Sequence, residues 1–363
     1  MPTVLFLRSS SHLGGIERQM LWHAARLQED GWNVHVACLY RGEGEHPMVQ
    51  AARGARLPAV TLPDPAFWRP QVAQEVQALI QRLQPDIVHT TDYRTDILVA
   101  FRAAGVRWLA ESLGYTEGHW RLHLWNWLDV RALRRAHRVA PISAAWETWL
   151  AVHGISPARM TVLAYSRAIL QPGPLPPPAP LDGPGPHLLY AGRLSPEKGI
   201  DFLLSAWPEI RAHWPDASLW VLGALPPARR FRRRIEAGLA QPGIRYLGHQ
   251  PDIRPWLQAV DAVVVPSRRE AWGMTAFETL YVGTPLVATR IGGLPTLTRG
   301  APHVRLFTRD DTQALLHALE QALSPELPHG PEVGRAYAMQ PRFAPDHRHA
   351  ILMGIYETLC RGC

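Results

Sequence analysis

Short apolar runs of strand length alternate with longer segments in which apolar residues recur at helical spacing. In the first half, the runs at 3–7, 33–39, 86–90, 107–113, 138–143 and 160–165 predict strands, being short and rich in β-branched or other apolar residues. The segments at 15–30, 70–83, 96–104, 121–136 and 144–153 predict the helices between them. Alternation of this kind makes a parallel sheet covered by helices on both faces, a Rossmann-like doubly wound domain.

The pattern breaks at 171–187, QPGPLPPPAPLDGPGPH, where nearly every second residue is proline. Proline has no N–H for a ladder and fixes φ, so this stretch predicts an extended, semi-rigid connector. Beyond it the alternation restarts, with strands expected at 188–191, 218–222, 244–247, 262–266 and 285–289 and helices at 200–213, 228–240, 253–259, 274–282 and 312–323. The chain therefore reads as α/β: a Rossmann-like domain over 1–170, the linker over 171–187, a second Rossmann-like domain over 188–342, and a last helix within 343–363 expected on or near the first domain. Ligands of open α/β sheets bind beyond the carboxyl ends of the strands. Two such domains predict a site in a cleft where those ends face one another.

With 47% hydrophobic and 19% charged residues over 363 positions, the chain has the material for two cores and no disordered profile. No run approaches the roughly 18 to 20 apolar residues of a membrane span. The start, MPTVLFLRSS, lacks a basic segment ahead of a cleavable apolar one, so a soluble cytoplasmic chain is expected. Three cysteines, Cys38, Cys360 and Cys363, are too few for a disulfide scaffold, and the terminal C-x-x-C has no second pair to complete a zinc site. The net charge of +7 calls for an acidic partner. Its densest runs are Arg229, Arg230, Arg232, Arg233 and Arg234, and Arg131, Arg134, Arg135 and Arg138. These are either solvated helix faces or contacts with an anionic membrane surface at its inner face. Nucleic acid is not expected, because no reading motif is present.

The segment 266–295, PSRREAWGMTAFETLYVGTPLVATRIGGLP, carries the most chemistry. A buried strand ends in a polar loop holding Glu270, and Gly273, Met274 and Thr275 open a helix that carries Glu278. A helix start after glycine offers unpaired N–H groups and a positive dipole end to a phosphate. Glu270 is then placed for sugar hydroxyls and Glu278 for a ribose; the structural alternative is a surface loop with an early glutamate that complements the dipole. In YAGRLSPEKG, 190–199, Arg193 and Lys198 follow a strand and bring two cations to the sheet's carboxyl edge, where a diphosphate leaving group would need them. Gly14 and Gly15, between the first strand and first helix, allow the backbone to approach a ligand, though glycine is also the default of a tight βα turn.

The 266–295 segment resembles the signature of family-4 retaining glycosyltransferases of the GT-B fold, glycosyl transferases group 1. That signature has two glutamates separated by seven residues, a helix, a Gly-Thr-Pro turn, a strand and a Gly-Gly turn, and Glu270, Glu278, Gly283, Pro285, Gly292 and Gly293 match it. The resemblance implies a GT-B enzyme, a hexosyltransferase, that transfers a sugar from a nucleotide diphosphate sugar with retention of configuration. It implies no cofactor and no metal, the donor being a co-substrate. Arg193 and Lys198 would grip the diphosphate, Glu270 would be catalytic with them, and Gly14, Gly15, Gly273, Met274, Thr275 and Glu278 would line the substrate. The implied acceptor is a glycan, lipid-linked or small molecule, in a role such as cell-envelope polysaccharide synthesis. One departure stands out: Leu113 occupies the position where the family commonly has a histidine near the reacting sugar. It leaves Glu111, Tyr115 or His119 as substitutes, and motivates a second reading, a catalytically impaired nucleotide-sugar-binding protein; a nucleotide-sugar epimerase of the same fold is a third.

Overall fold

A computed structural model describes every residue except 65–69, 103–104, 116–119, 172, 227 and 362–363, and every described side chain but those of 102, 120 and 121. His119 and Cys363 thus lie outside the described residues. The chain divides into two units: Met1–Pro172 with Pro341–Cys363, and Gly173–Gln340.

The first unit runs β1 (Thr3–Ser9), α1 (Gly15–Glu29), β2 (Asn33–Tyr40), α2 (Pro47–Gly54), β3 (Ala59–Pro63), α3 (Pro70–Leu83), β4 (Ile87–Thr90), α4 (Tyr93–Arg102), β5 (Arg107–Ser112), α5 (Trp120–Leu133), β6 (Arg138–Pro141) and α6 (Ala144–Val152). Its six strands are parallel in the order β3-β2-β1-β4-β5-β6. Alternation along a strand sends neighbours to opposite faces, and β1 shows it. Val4 and Phe6 pack with Met20 and Leu27 of α1, while Leu5 and Leu7 pack with Val76 and Leu79 of α3.

The second unit follows with β7 (His187–Ala191), α7 (Ile200–His213), β8 (Ser218–Leu222), α8 (Arg229–Leu239), β9 (Ile244–Gly248), α9 (Arg254–Ala259), β10 (Ala262–Val265), α10 (Met274–Val282), β11 (Leu286–Thr289), α11 (Leu294–Leu297), β12 (Val304–Phe307), α12 (Thr312–Ala322) and α13 (Pro331–Ala338). Its parallel sheet has the order β12-β11-β10-β7-β8-β9, which is the first unit's order counted from its own first strand. Each sheet reverses its winding next to its first strand, between β1 and β4 and between β7 and β10. Such switch points are where open sheets bind ligands. The described part of the proline-rich segment has neither helix nor strand before β7 and is tied to the second unit by Ala179 N–H donating to the Pro255 carbonyl at 2.9 Å and Gln258 Nε2 donating to the Pro176 carbonyl at 2.6 Å.

The last helix, α14 (Pro345–Arg361), belongs to the first unit, where Leu352, Ile355 and Tyr356 join the core beneath β1 and α1. It is also fastened by a buried polar chain. Arg348 donates to Glu111 Oε2 at 2.8 Å, to the Ala164 carbonyl at 2.9 Å and to His23 Nε2. Because arginine only donates and a carboxylate only accepts, the remaining directions are forced. His23 Nδ1–H donates to His349 Nδ1 at 3.3 Å, and His349 Nε2–H donates to Asp30 at 2.7 Å. Tyr356 O–H meets His89 Nδ1 at 2.8 Å, and the other nitrogen of His89 lies 3.1 Å from Glu111 Oε1. Burial alone would raise the Glu111 carboxyl, but the Arg348 guanidinium and the neighbouring His89 hold it down to about 2.

The structure corrects one predicted strand. Residues 160–165 form no ladder beyond the single bridge of Met160 to Val139. They run beside β6 with Thr161 and Leu163 donating to the carbonyls of Val139 and Pro141. Pro141 has no N–H to return, so a ladder cannot extend past it.

Candidate functional site

At the β7/β10 switch point the second unit has a hollow of about 180 Å³. Tyr190, Ala191 and Gly192 line it from the end of β7, Val264 to Ser267 from the end of β10, Lys198 and Glu270 from the loops, and Met274 and Thr275 from the first turn of α10. Four of the residues singled out in the sequence therefore share one cavity.

Two close backbone approaches set this geometry. Gly199, at φ +69°, presses the end of the 193–198 loop onto β10 so tightly that a Cβ would stand 1.9 Å from the Pro266 carbonyl oxygen. Gly292, at φ +53°, sits against the Glu270 backbone, where a Cβ would come within 1.8 Å of its carbonyl oxygen, and Gly293 N–H donates to that same oxygen at 3.0 Å. Only glycine fits either place. The first contact delivers Lys198 and the second delivers Glu270, so that Lys198 Nζ donates to Glu270 Oε2 at 2.6 Å. Ser267 Oγ donates to the same oxygen at 3.3 Å. Both charged groups are largely shielded, with side-chain exposures of 24% and 11%. A lysine ammonium has three donors, so one directed at Glu270 leaves two for a ligand in the hollow.

Arg193 does not line the hollow. Its side chain is 55% exposed, with Nη2 3.2 Å from the buried Glu197 carboxylate, and its backbone carbonyl accepts from Tyr190 O–H at 2.7 Å. Glu197 in turn receives the N–H groups of Arg268 and Arg269 on its carbonyl, which joins the 193–198 loop to the loop of Glu270. Gly273 opens α10 at φ +107° and backs onto Leu294. Thr275 spends its hydroxyl on the Ala191 carbonyl, 2.9 Å away, which pins the helix start to the end of β7. Glu278 is half-buried one turn into α10 and does not line the hollow.

In the first unit Gly14 caps α1, and its N–H donates to Glu17 Oε2 at 2.9 Å while the other oxygen of Glu17 holds buried Arg8 at 2.5 Å. Gly15 is the first helical residue. Gly14 thus ends the loop after β1 and Gly15 begins α1, at that sheet's switch point. The substitutes considered for Leu113 are otherwise engaged: Glu111 by Arg348 and His89, and Tyr115 through its O–H donated to Asp129 at 2.6 Å.

Sequence reasoning missed Tyr190 and Ser267, which shape the loop and share the Glu270 carboxylate. It also missed a compositional signal: against 37 arginines, Lys198 is the only lysine in the chain. A compact ammonium thus stands at that one place, in a chain that otherwise uses the planar guanidinium. Among the described residues no three His, Cys, Asp or Glu side chains cluster as metal ligands would, and no helix is long and apolar enough to cross a membrane.

Residues 14–166 match a family model for a glycosyl transferase 4-like domain, and residues 185–325 match one for glycosyl transferases group 1. The chain is 39% identical over 114 residues to a D-inositol 3-phosphate glycosyltransferase of Arthrobacter sp. strain FB24, covering 30% of this chain and 27% of that protein. It is 31% identical over 186 residues to the protein of the same name from Jonesia denitrificans, covering 48% of this chain and 43% of that protein. The matches thus span less than half of either relative. In structure it resembles Anabaena Alr3699/HepE, solved in complex with UDP and glucose, with a TM-score of 0.75 at 18% identity over 99% of this chain and 100% of that one. That likeness extends over both Rossmann-like units.

Proposed function

The chain belongs to the group 1 glycosyltransferases, and we propose that it transfers a hexose from a nucleotide diphosphate sugar to an acceptor, with retention of configuration and without a metal ion. The observation that carries this reading is the Lys198–Glu270 pair in a hollow at the second unit's switch point, beside the start of α10. Lys198 and Arg193 take the diphosphate, and the N-terminal turn of α10 adds its dipole. Donor phosphate competes with Glu270 for the ammonium, which frees the carboxylate for sugar hydroxyls as the donor arrives. Glu278 reaches the ribose, and the loop at Gly14 and Gly15 receives the acceptor side. The inositol phosphate named for two relatives makes a polyol or sugar phosphate, free or lipid-linked, the acceptor to try first.

Lys198→Ala and Arg193→Ala are each expected to lower turnover by several orders of magnitude while the melting temperature changes little. Full activity of either variant with a proven donor would overturn the phosphate assignment. A thermal-shift panel of nucleotide sugars identifies that donor, since a ligand bound only by the folded form raises the melting point. One observation favours a second reading, a donor-binding protein with impaired turnover: Leu113 is apolar and Glu111 is committed to Arg348. A donor that raises the melting point yet is neither transferred nor slowly hydrolysed would decide for it.

A further inference from the structure

We infer that the outer face of α5, with the end of α4, docks on an anionic lipid surface. Phe101 of α4 and Leu124 and Trp127 of α5 are 48%, 43% and 50% exposed, unusual for side chains of their size. Cations are layered on them: the Arg131 guanidinium lies 3.9 Å from the centre of the Trp127 ring, and that of Arg135 lies 4.5 Å from the Phe101 ring. Arg134, Arg135 and Arg138 direct hydrogen bonds to the backbone carbonyls of His153, Ala100 and Ala158, which leaves their charge uncompensated. Among the described residues no carboxylate lies within ion-pair distance of these four arginines. Arg131 and Arg135 of the arginine run visible in the sequence thus share a face with aromatic and aliphatic tips.

Apolar tips between long cationic side chains suit the boundary of a bilayer, where rings and stems enter the headgroup region and guanidinium groups meet phosphates. A second copy of this chain fits the face poorly, because a twofold contact would set arginines against arginines. α5 leaves the carboxyl end of β5, so its first turns stand at the edge of the sheet where this fold binds ligands. Docking there would bring that edge to the lipid headgroups. The docking itself stands on the surface alone; its use, to meet a lipid-carried acceptor, rests on the function proposed above.

The test is co-sedimentation of the full chain with vesicles of phosphatidylcholine, and with vesicles in which phosphatidylglycerol replaces a third of it, at low and high salt. Binding to the anionic vesicles that weakens with salt is expected. Arg131→Gln/Arg135→Gln should reduce partitioning about 25-fold, at roughly a factor of five per cation. Leu124→Ser/Trp127→Ser should reduce it about tenfold or more. Arg230→Gln/Arg233→Gln on α8 should bind as wild type. All variants should melt like wild type and keep any donor-induced thermal shift, which separates failure here from failure of the donor assignment. No binding at low salt, equal binding to both vesicle types, wild-type binding by both α5 variants, loss only in the α8 variant, or a self-association abolished by Trp127→Ser would each overturn the proposal.

Discussion

Arg348→Met should unfasten the C-terminal helix. Arg348 and Glu111 are both almost wholly buried and 2.8 Å apart, and the carboxyl is held at about 2 against an ordinary value of 4.5. That distance corresponds to about 3 kcal/mol of favourable interaction with its partners. It agrees with the roughly 3 to 5 kcal/mol expected when one member of a buried ion pair is removed and the other is stranded. Hydrogen exchange read by mass spectrometry on peptides from α14 reports the opening directly, whether or not the two units unfold together. About 3 kcal/mol predicts exchange faster by on the order of a hundredfold at neutral pH. The double variant Glu111→Gln/Arg348→Met removes the stranded charge and should regain much of the loss. The pH dependence has a definite sign. A carboxyl depressed in the folded state gives its full stability above about pH 4.5 and loses it as pH falls towards 2, so the wild type should approach the variant only in acid. Exchange within threefold of wild type in the single variant, or a double variant no better than the single, would refute the reasoning.

Other expectations concern the site and a second buried acid. Gly199→Ala forces a Cβ to 1.9 Å from a backbone oxygen at a positive φ, and should cost about 2 kcal/mol or more in thermal stability together with donor affinity. A variant that melts like wild type would show that the loop has room. Ser267→Ala loses only a long 3.3 Å bond to Glu270, so donor KM and kcat should each move less than about threefold, far less than for Lys198→Ala. Asp129 and Asp96, buried together beside Tyr115, are both pushed up by burial. The folded state then keeps a proton that the unfolded state releases, so wild-type stability falls as pH rises above about 4. Asp129→Asn should melt higher than wild type at pH 8 and lose that advantage near pH 4; parallel melting curves across that range would exclude the idea.

Much of this architecture is legible in the chain because buried parallel strands write themselves as short continuous apolar runs, as in AVVV of β10 and LVAT of β11. Strands β3 and β12 escaped notice for the converse reason. Each is a sheet edge of four or five residues with mostly half-exposed positions, which carries little periodicity. The pairing of Lys198 with Glu270 joins residues 72 apart and depends on backbone contacts at Gly199 and Gly292, which no local spacing encodes. From the sequence, Gly273, Met274 and Thr275, at the start of a helix, and Glu278, about one turn further in, are assigned to one ligand. Helical geometry separates them: Met274 and Thr275 reach the hollow, Gly273 turns to Leu294, and Glu278 is carried one turn away. Glu111 illustrates the opposite limit, since its partner Arg348 lies 237 residues further on in a helix outside the alternating pattern.

A chain with a single lysine confines side-chain amine chemistry to one address. Carbamylation or acetylation of side-chain amines, which in most proteins scatters over many ammonium groups, would here be confined to the one Nζ that faces Glu270. One adduct would then neutralise that charge, while the guanidinium groups that give the surface its basic character stayed as they were. Acylation of side chains in this molecule should accordingly appear as one discrete, stoichiometric event and not as a graded series of charge forms.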